Sequence, residues 1–524
     1  MRVSSKNEGV SRLTPIDKRA IKKSVLKTKV SSLTAVAIAV GLSCQASHAA
    51  TIFVNSTTDA LLADSVGGNC TLREAVVSII TGDTTVNGDD TGCNASGPTF
   101  GTSDRIEFAA GIDGQTISLS FGPGGISLGQ NVEFNRNNRD ITIDMSGNSR
   151  GFTIFNAGTE VILNSLTLTG GNSPDGDLGY GSSIFAFDGS TVTITNSNIT
   201  GNNAGATSAI LTNGVGTELI IENSTISSNS ARLTGPGTNF GGGVLIFNGS
   251  VATIVDSTIS NNNGGFGAGV SAGGAGAILI RNTTISNNTA EVVGTTPNGS
   301  GQGGGLGLSG SPSVTIENST ISENVASFGS VISSFGSSAT LQNSTMSGNV
   351  ANVVAGLGVY DGSNIAFVSS TFAFNEVPGD AASGGIVVRD GTVSFENSIL
   401  AGSSFSDCFV SPTGSFSSDS NSIIQNPNVG EASCASSARV GINPVLGVLR
   451  NNGGPTMTHA LAASSPAIGT GGSCLATDQR GITRPSTGCD VGAFEVPPPP
   501  PPLPPPPPPG AIIPPVLFLL LSDE

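Results

Sequence analysis

Val192-Thr193-Ile194-Thr195-Asn196-Ser197-Asn198-Ile199 is the stretch on which the reading of this 524-residue chain turns. Apolar and polar residues alternate up to Thr195, an Asn-Ser pair interrupts them, and an apolar position follows. Alternation with a period of two is a strand with one buried face. The order returns at Val314, Ile316, Asn318 and Ile321, and again at Val393, Phe395, Asn397 and Leu400. A less regular copy surrounds Ser165, with Val161, Leu163 and Leu168. Aligned on the interrupting polar residue, the repeats fall at Asn196, Asn223, Asp256, Asn282, Asn318, Asn343, Ser369 and Asn397, in steps of 25–36 residues.

A second apolar stretch follows glycines in most repeats, as in Gly241-Gly242-Gly243-Val244 and Gly303-Gly304-Gly305-Leu306. It commonly closes on an Asx-Gly turn: Asp188-Gly189, Asn248-Gly249, Asp361-Gly362, Asp390-Gly391. A unit this short, with two or three strands and no helical period, cannot bury its apolar face alone. Stacking supplies the core, and the expected fold is all-β: a parallel β-solenoid of about nine or more rungs. The repeated polar position is expected to form an inward ladder of side chains, hydrogen-bonded from rung to rung. That reading absorbs the apparent glycosylation sequons at Asn223-Ser224-Thr225, Asn282-Thr283-Thr284, Asn318-Ser319-Thr320 and Asn343-Ser344-Thr345.

Composition narrows the partners. The chain has 73 Gly and no Trp, and 11% of its residues are charged, where an ordinary domain has roughly 25%. Lys6, Lys18, Lys22, Lys23, Lys27 and Lys29 are all of its lysines. From Thr51 onward, 12 Arg face 35 Asp and Glu. An acidic body without lysine offers no cationic surface for a phosphate backbone, which argues against nucleic acid.

The first 50 residues have the order of a secretory signal: a basic region to Lys29, an apolar run from Leu33 to Leu42, and small residues through Ala50. Removing them leaves Cys70, Cys93, Cys408, Cys434, Cys474 and Cys489. An even number in an exported chain favours disulfides. Six cysteines allow 15 pairings, and the sequence-local couples Cys70–Cys93, Cys408–Cys434 and Cys474–Cys489 are expected. With His459 the one histidine beyond the signal, zinc chemistry is not expected.

Three resemblances rest on particular residues. Asn69-Cys70-Thr71-Leu72-Arg73-Glu74-Ala75-Val76, with Cys93 and Asp104-Arg105-Ile106-Glu107-Phe108, resembles the CSLREA domain at the start of bacterial surface β-helix proteins. The repeats resemble the right-handed parallel β-helix of pectate lyases and of polymorphic outer membrane proteins. Asn451-Asn452-Gly453-Gly454-Pro455-Thr456, Ser465-Pro466-Ala467-Ile468, Thr477-Asp478-Gln479-Arg480-Gly481 and Gly492-Ala493-Phe494-Glu495 resemble a choice-of-anchor Q domain. The implied organisation is a signal peptide at 1–50, a CSLREA-like cap region at 51–135, β-helix repeats at 136–405 and a choice-of-anchor Q-like region at 406–496. A proline-rich linker and short apolar tail occupy 497–524. The resemblance implies a secreted or cell-surface protein, with envelope association through the tail.

β-Helix enzymes carry catalytic carboxylates and cations on an outward strand face. The outward position before each ladder residue reads Thr195, Glu222, Val255, Arg281, Glu317, Gln342, Val368, Glu396. Glu222 and Glu317 stand three rungs apart, roughly 14 Å, beyond the ~5–9.5 Å of a glycosidase pair. Arg281 and Glu317 are expected to form a surface ion pair. Asp361 and Asp390, with Arg389, occupy equivalent turns on neighbouring rungs, a geometry that could hold Ca²⁺ or form an acid pair. The acidic groups Asp83, Asp89, Asp90 and Asp175, Asp177 read as loop solvation, Arg73 and Glu74 as parts of the N-terminal cap, and Asp478 and Arg480 as fixing the C-terminal cap. The favoured expectation is a monomeric, non-catalytic adhesin or structural envelope protein that binds extracellular polysaccharide or a surface receptor. The alternative is a polysaccharide lyase or glycoside hydrolase using Asp361 and Asp390.

Overall fold

In a computed structural model the chain is described from residue 50 to 497, except residues 61–68, 87–88, 98–99, 102, 121–124, 148–149, 174–180, 206, 232–239, 292–300, 355, 379–383, 428–433 and 435–436. Residues 1–49 of the expected signal segment, Asp175, Asp177 and the tail after residue 497 lie outside the described residues, as do the side chains of Asp89 and Asp90.

The alternating stretches form strands that the chain visits in a fixed order. One circuit runs through Thr191–Thr195 in a first sheet, Asn198–Thr200 in a second, Asn203–Ala204 in a short third and Ile210–Asn213 in a fourth. It then returns to the first sheet at Glu218–Glu222. Equivalent strands pair parallel and in register, Val192 with Leu219, Ile199 with Ile226 and Ile210 with Val244. Among the described residues the four sheets hold 14, 13, 7 and 11 strands. The protein is a right-handed parallel β-helix, and the strands of its fourth sheet count 11 circuits.

The inward residues form continuous apolar columns. Ile194, Ile221, Ile254, Ile280, Ile316, Leu341, Phe367 and Phe395 line the first sheet, and Ile199, Ile226, Ile259, Ile285, Ile321, Met346 and Phe372 the second, all buried. β-Branched side chains suit this pleated, fully packed surface. Phe367 and Phe395 stack with centroids 4.4 Å apart, which extends the column in aromatic form toward the C-terminal end.

The repeated polar position has a different role from the inward ladder expected of it. Asn196, Asn223, Asp256, Asn282, Asn318, Asn343, Ser369 and Asn397 all have positive φ, between 46° and 51°. They turn the chain from the first sheet to the second, a left-handed conformation that Asn and Asp tolerate better than other side-chain-bearing residues. Their side chains do form ladder bonds, but at the outer corner: Asn223 Nδ2 donates to Asn196 Oδ1 at 2.6 Å and Asn282 Nδ2 to Asp256 Oδ1 at 2.9 Å. Asn196, Asn223 and Asp256 are exposed.

The inward amide ladder lies six residues later, at Asn202, Asn229, Asn262, Asn288, Asn324, Asn349 and Asn375, each no more than 1% exposed. Each Nδ2 donates to the Oδ1 of the next at 2.8–3.0 Å. A hydroxyl ladder runs beside it: the backbone N–H groups of Ser197, Ser224 and Ser257 donate to the hydroxyls of Ser224, Ser257 and Thr283.

Both ends depart from the repeat. The helix Leu72–Thr81 packs Leu72, Ala75, Val76 and Ile79 into the core. A capping box joins Thr71 and Glu74 at its start. Arg73 clamps it by binding both carboxylate oxygens of Asp59, at 2.7 and 3.0 Å, and the carbonyl of Gly125 at 3.1 Å. The structure joins Cys70 to Cys93, Cys408 to Cys434 and Cys474 to Cys489.

The C-terminal segment lies along the flank of the rod, on the outward face of the second sheet. Thr456 Oγ1 donates to the Asn318 carbonyl at 2.8 Å, and Asn343 Nδ2 donates to the Thr477 carbonyl at 2.9 Å. Gln479 donates to the Ser319 carbonyl at 3.2 Å and to Thr320 Oγ1 at 3.0 Å, and accepts from Thr345 Oγ1 at 2.6 Å. The Ala493 N–H donates to Thr371 Oγ1 at 3.0 Å. Asp478 and Arg480 are paired at 2.7 Å, and Arg484 and Glu495 at 2.8 Å; both pairs knit this segment to itself. Asn343, Ser369 and Asn397 are buried beneath it, unlike their counterparts on earlier rungs.

Candidate functional site

The outward row of the first sheet is in the expected register, from Thr195 through Glu222, Val255, Arg281, Glu317, Gln342 and Val368 to Glu396. Two residues, Val255 and Arg281, separate Glu222 from Glu317. Arg281 and Glu317 are register partners, yet the expected ion pair between them does not form; the ion pairs of the described residues lie elsewhere. Long side chains in water gain little from closing such a pair.

Asp361 and Asp390 follow neighbouring strands of the fourth sheet, where Val359 pairs with Val388. Both are exposed, and the Gly362 N–H donates to the Asp390 carbonyl at 2.7 Å. The two turns differ by one residue: Asp361 bends the chain with φ 54°, whereas Gly391 already pairs with Ser363. Among the described residues, no three His, Cys, Asp or Glu side chains come close enough to hold a metal ion.

Arg389 belongs to a different construction, a groove on the outward face of the fourth sheet. One wall is the column Phe240, Phe266, Gln302, Phe328 and Val354, joined by successive parallel bridges. The other wall is Phe247, Gly273, Ser309, Phe335 and Tyr360, neighbours in the ladder, with Arg389 on the next rung. Between the walls the outward floor positions are small: Ser271, Gly307, Ser333 and Gly358. Leu245 and Val387 end this small-residue floor.

The glycines are fitted to the rings. A Cβ at Gly307 would sit 2.7 Å from the Phe266 ring, and one at Gly358 would sit 2.7 Å from the Tyr360 ring. Phe335 and Tyr360 stack at 4.9 Å with planes 17° apart. A cleft of about 200 Å³ remains, lined by Gln302, Phe328, Phe335, Val354, Tyr360 and Arg389. Burial pushes the Tyr360 phenol above its ordinary pKa, and the nearby Arg389 cation acts in the opposite direction. The phenol is therefore neutral at physiological pH and able to donate.

Attention to strand alternation in the first sheet alone misses this groove. Its signal in the sequence is a residue placed directly before a bend glycine, in Phe240-Gly241, Phe266-Gly267, Gln302-Gly303 and Phe328-Gly329. A second aromatic follows seven positions later at Phe247 and Phe335.

A family match agrees with the architecture over part of the chain. The family described as right handed beta helix region matches residues 182–377 and 242–429. No curated protein sequence matches the chain. A crystal structure of pectate lyase Pel9A is similar over 75% of this chain and 88% of that one, with 14% identity and a TM-score of 0.35. The chain is thus a right-handed parallel β-helix protein, with a groove on its fourth sheet as its candidate functional site.

Proposed function

We propose that this protein is a secreted or cell-surface β-helix rod that acts by binding, as an adhesin or structural envelope protein, and that the groove of the fourth sheet is its binding face. The observation that carries the reading is the groove itself: two walls rich in aromatic residues over a small-residue floor, continued from rung to rung by the parallel ladder. Such a channel along a rod suits an extended ligand, and extracellular polysaccharide is the class proposed. The CSLREA-like and choice-of-anchor Q-like ends support display outside the cell, as do the three disulfides. The alternative, a lyase or hydrolase, draws support from the exposed carboxylates of Asp361 and Asp390 on neighbouring rungs.

Affinity electrophoresis of the purified chain through gels containing polysaccharides tests both readings. Retardation is expected for the native chain and not for the double variant Phe335→Ala/Tyr360→Ala, with no release of reducing ends or unsaturated products. Product that accumulates with time and disappears in Asp361→Asn/Asp390→Asn would establish the enzyme instead.

A further inference from the structure

The cleft near Ser333 has a chemical bias that its aromatic walls do not explain. Three hydrogen-bond donors border it, and none has a partner within the described protein. The Tyr360 hydroxyl makes no hydrogen bond. The Gln302 amide nitrogen makes none either; its only side-chain bond is at Oε1, which accepts from Ser333 Oγ at 3.5 Å. The Arg389 guanidinium forms no ion pair or side-chain hydrogen bond, although Asp390 follows it in the chain. Arg389 uses its backbone instead: its N–H donates to Val359 O at 3.0 Å, and its carbonyl accepts from the hydroxyls of Ser411 and Thr413. The strand end is thereby held while the side chain remains available.

Donors without acceptors call for a ligand rich in acceptors, and the one cation among them calls for a negative charge. The stacked Phe335 and Tyr360 rings call for a flat, partly apolar body beside that charge. At about 200 Å³ the cleft is below the ~300–1,000 Å³ of sites for drug-sized ligands, so it takes one ring rather than an oligomer.

We propose that this cleft is an anion-selective sugar subsite: it seats one sugar ring of a longer chain, with the ring's carboxylate or sulfate on Arg389 and its other oxygens on Gln302 and Tyr360. This rests on the binding-rod reading and adds to it the charge of the ligand and the place where that charge is read. In a strongly acidic chain, Arg389 gives a negative polymer a local site of attraction within the groove. The outward carboxylates of Asp361 and Asp390, on the turn beyond it, oppose a ligand whose charge lies out of register with the guanidinium.

Titration calorimetry on the full chain tests this with three oligosaccharides of equal length: a hexuronate, its carboxyl-reduced neutral counterpart, and a sulfated oligomer. Either anionic oligomer is expected to bind at least tenfold more tightly than the neutral one, and the better of the two identifies the anionic group. Arg389→Gln, an exposed position, is expected to remove that preference by weakening the anionic ligand roughly 10–100-fold and the neutral one far less. Tyr360→Phe, which keeps the stacked ring, is expected to weaken binding several-fold. Equal affinity for the charged and reduced oligomers, or a preference that survives Arg389→Gln, overturns the subsite. If that occurs while polysaccharide retention still depends on Phe335 and Tyr360, the binding-rod reading stands and only the anion seat fails. Retention that ignores both aromatic residues removes the groove and the subsite together.

Discussion

Two polar residues six positions apart recur through the repeats, and their environments are opposite. Asn282 holds φ at 51° on the outer corner, whereas Asn288 lies fully buried between Asn262 and Asn324. Asn288 also donates to the Ile259 carbonyl at 3.0 Å, and its Oδ1 accepts the Asn262 backbone N–H at 3.0 Å. Removing it orphans several buried groups at once, each worth about 1–3 kcal/mol. Asn288→Ala is therefore expected to cost roughly 2–4 kcal/mol in a denaturant melt. Asn282→Gly keeps the left-handed bend available and is expected to change stability by about 0.5 kcal/mol or less. The period of the pattern was legible in the sequence, and it located the bend correctly. It did not say which of the two polar positions points inward, because a left-handed residue breaks the alternation by which facing is read. The inward role expected of Asn196 thus belongs to Asn202.

At the scale of elements, the C-terminal segment makes of the second sheet a covered half and an open half. The two-stranded hairpin of Leu446–Arg450 and Thr458–Leu461 lies against the covered part, and His459 anchors it. The ring Nδ1 lies 2.7 Å from the Gly447 carbonyl, Nε2 lies 2.8 Å from Ser347 Oγ, and Phe374 packs edge-on at 5.1 Å. Burial holds the imidazole below its ordinary pKa, partly offset by the hydrogen bond to Gly447. The unfolded or undocked segment therefore binds more protons than the docked one as pH falls below about 6.5. Docking weakens on acidification from there, with a slope of at most about 1.4 kcal/mol per pH unit for one proton, and levels off below the docked pKa. Hydrogen exchange is expected to show 446–461 opening more readily at pH 5 than at pH 7, relative to the first-sheet strand Asp104–Phe108. His459→Gln is expected to flatten that difference. The sequence displayed the motif around Gln479, but the motif's partners lie up to 160 residues away. Only the folded register brings Thr320, Thr345 and Gln479 together, so a segment expected to cap the rod lies along its flank instead.

The whole molecule inherits its behaviour from stacking. Each circuit pairs only with its neighbours, so stability is a sum of circuit and interface contributions, and a circuit can be removed if register is kept at the splice. That property explains why the solenoid was legible from Φ-x-Φ-x-Asn-Ser alone, while the groove was missed: its walls join residues on different circuits, and the residue before each bend glycine does not by itself mark a face as open. It also lets the proposed binding role be tested separately on different parts of the rod. Deleting residues 198–224 splices Ser197 to Thr225, which occupies the position of Asn198 in the ladder. This cut touches neither the groove at Gln302–Arg389 nor the rungs beneath the C-terminal segment. The shortened chain is expected to melt cooperatively and, under the proposed binding role, to bind polysaccharide within about threefold of the full chain. Deleting residues 320–344 preserves register equally well, because Thr345 occupies the position of Thr320. It removes Phe328 and Phe335 from the groove and draws the Ser319 and Ser347 anchors of Gln479 and His459 closer by one rung. The C-terminal segment then cannot satisfy both anchors, and it is expected to become sensitive to limited proteolysis while binding is lost. If both deletions behave alike, the independence of the circuits is wrong. If only the second releases the segment and abolishes binding, the groove and the flank docking both belong to the C-terminal half of the rod, and the earlier circuits act as its shaft.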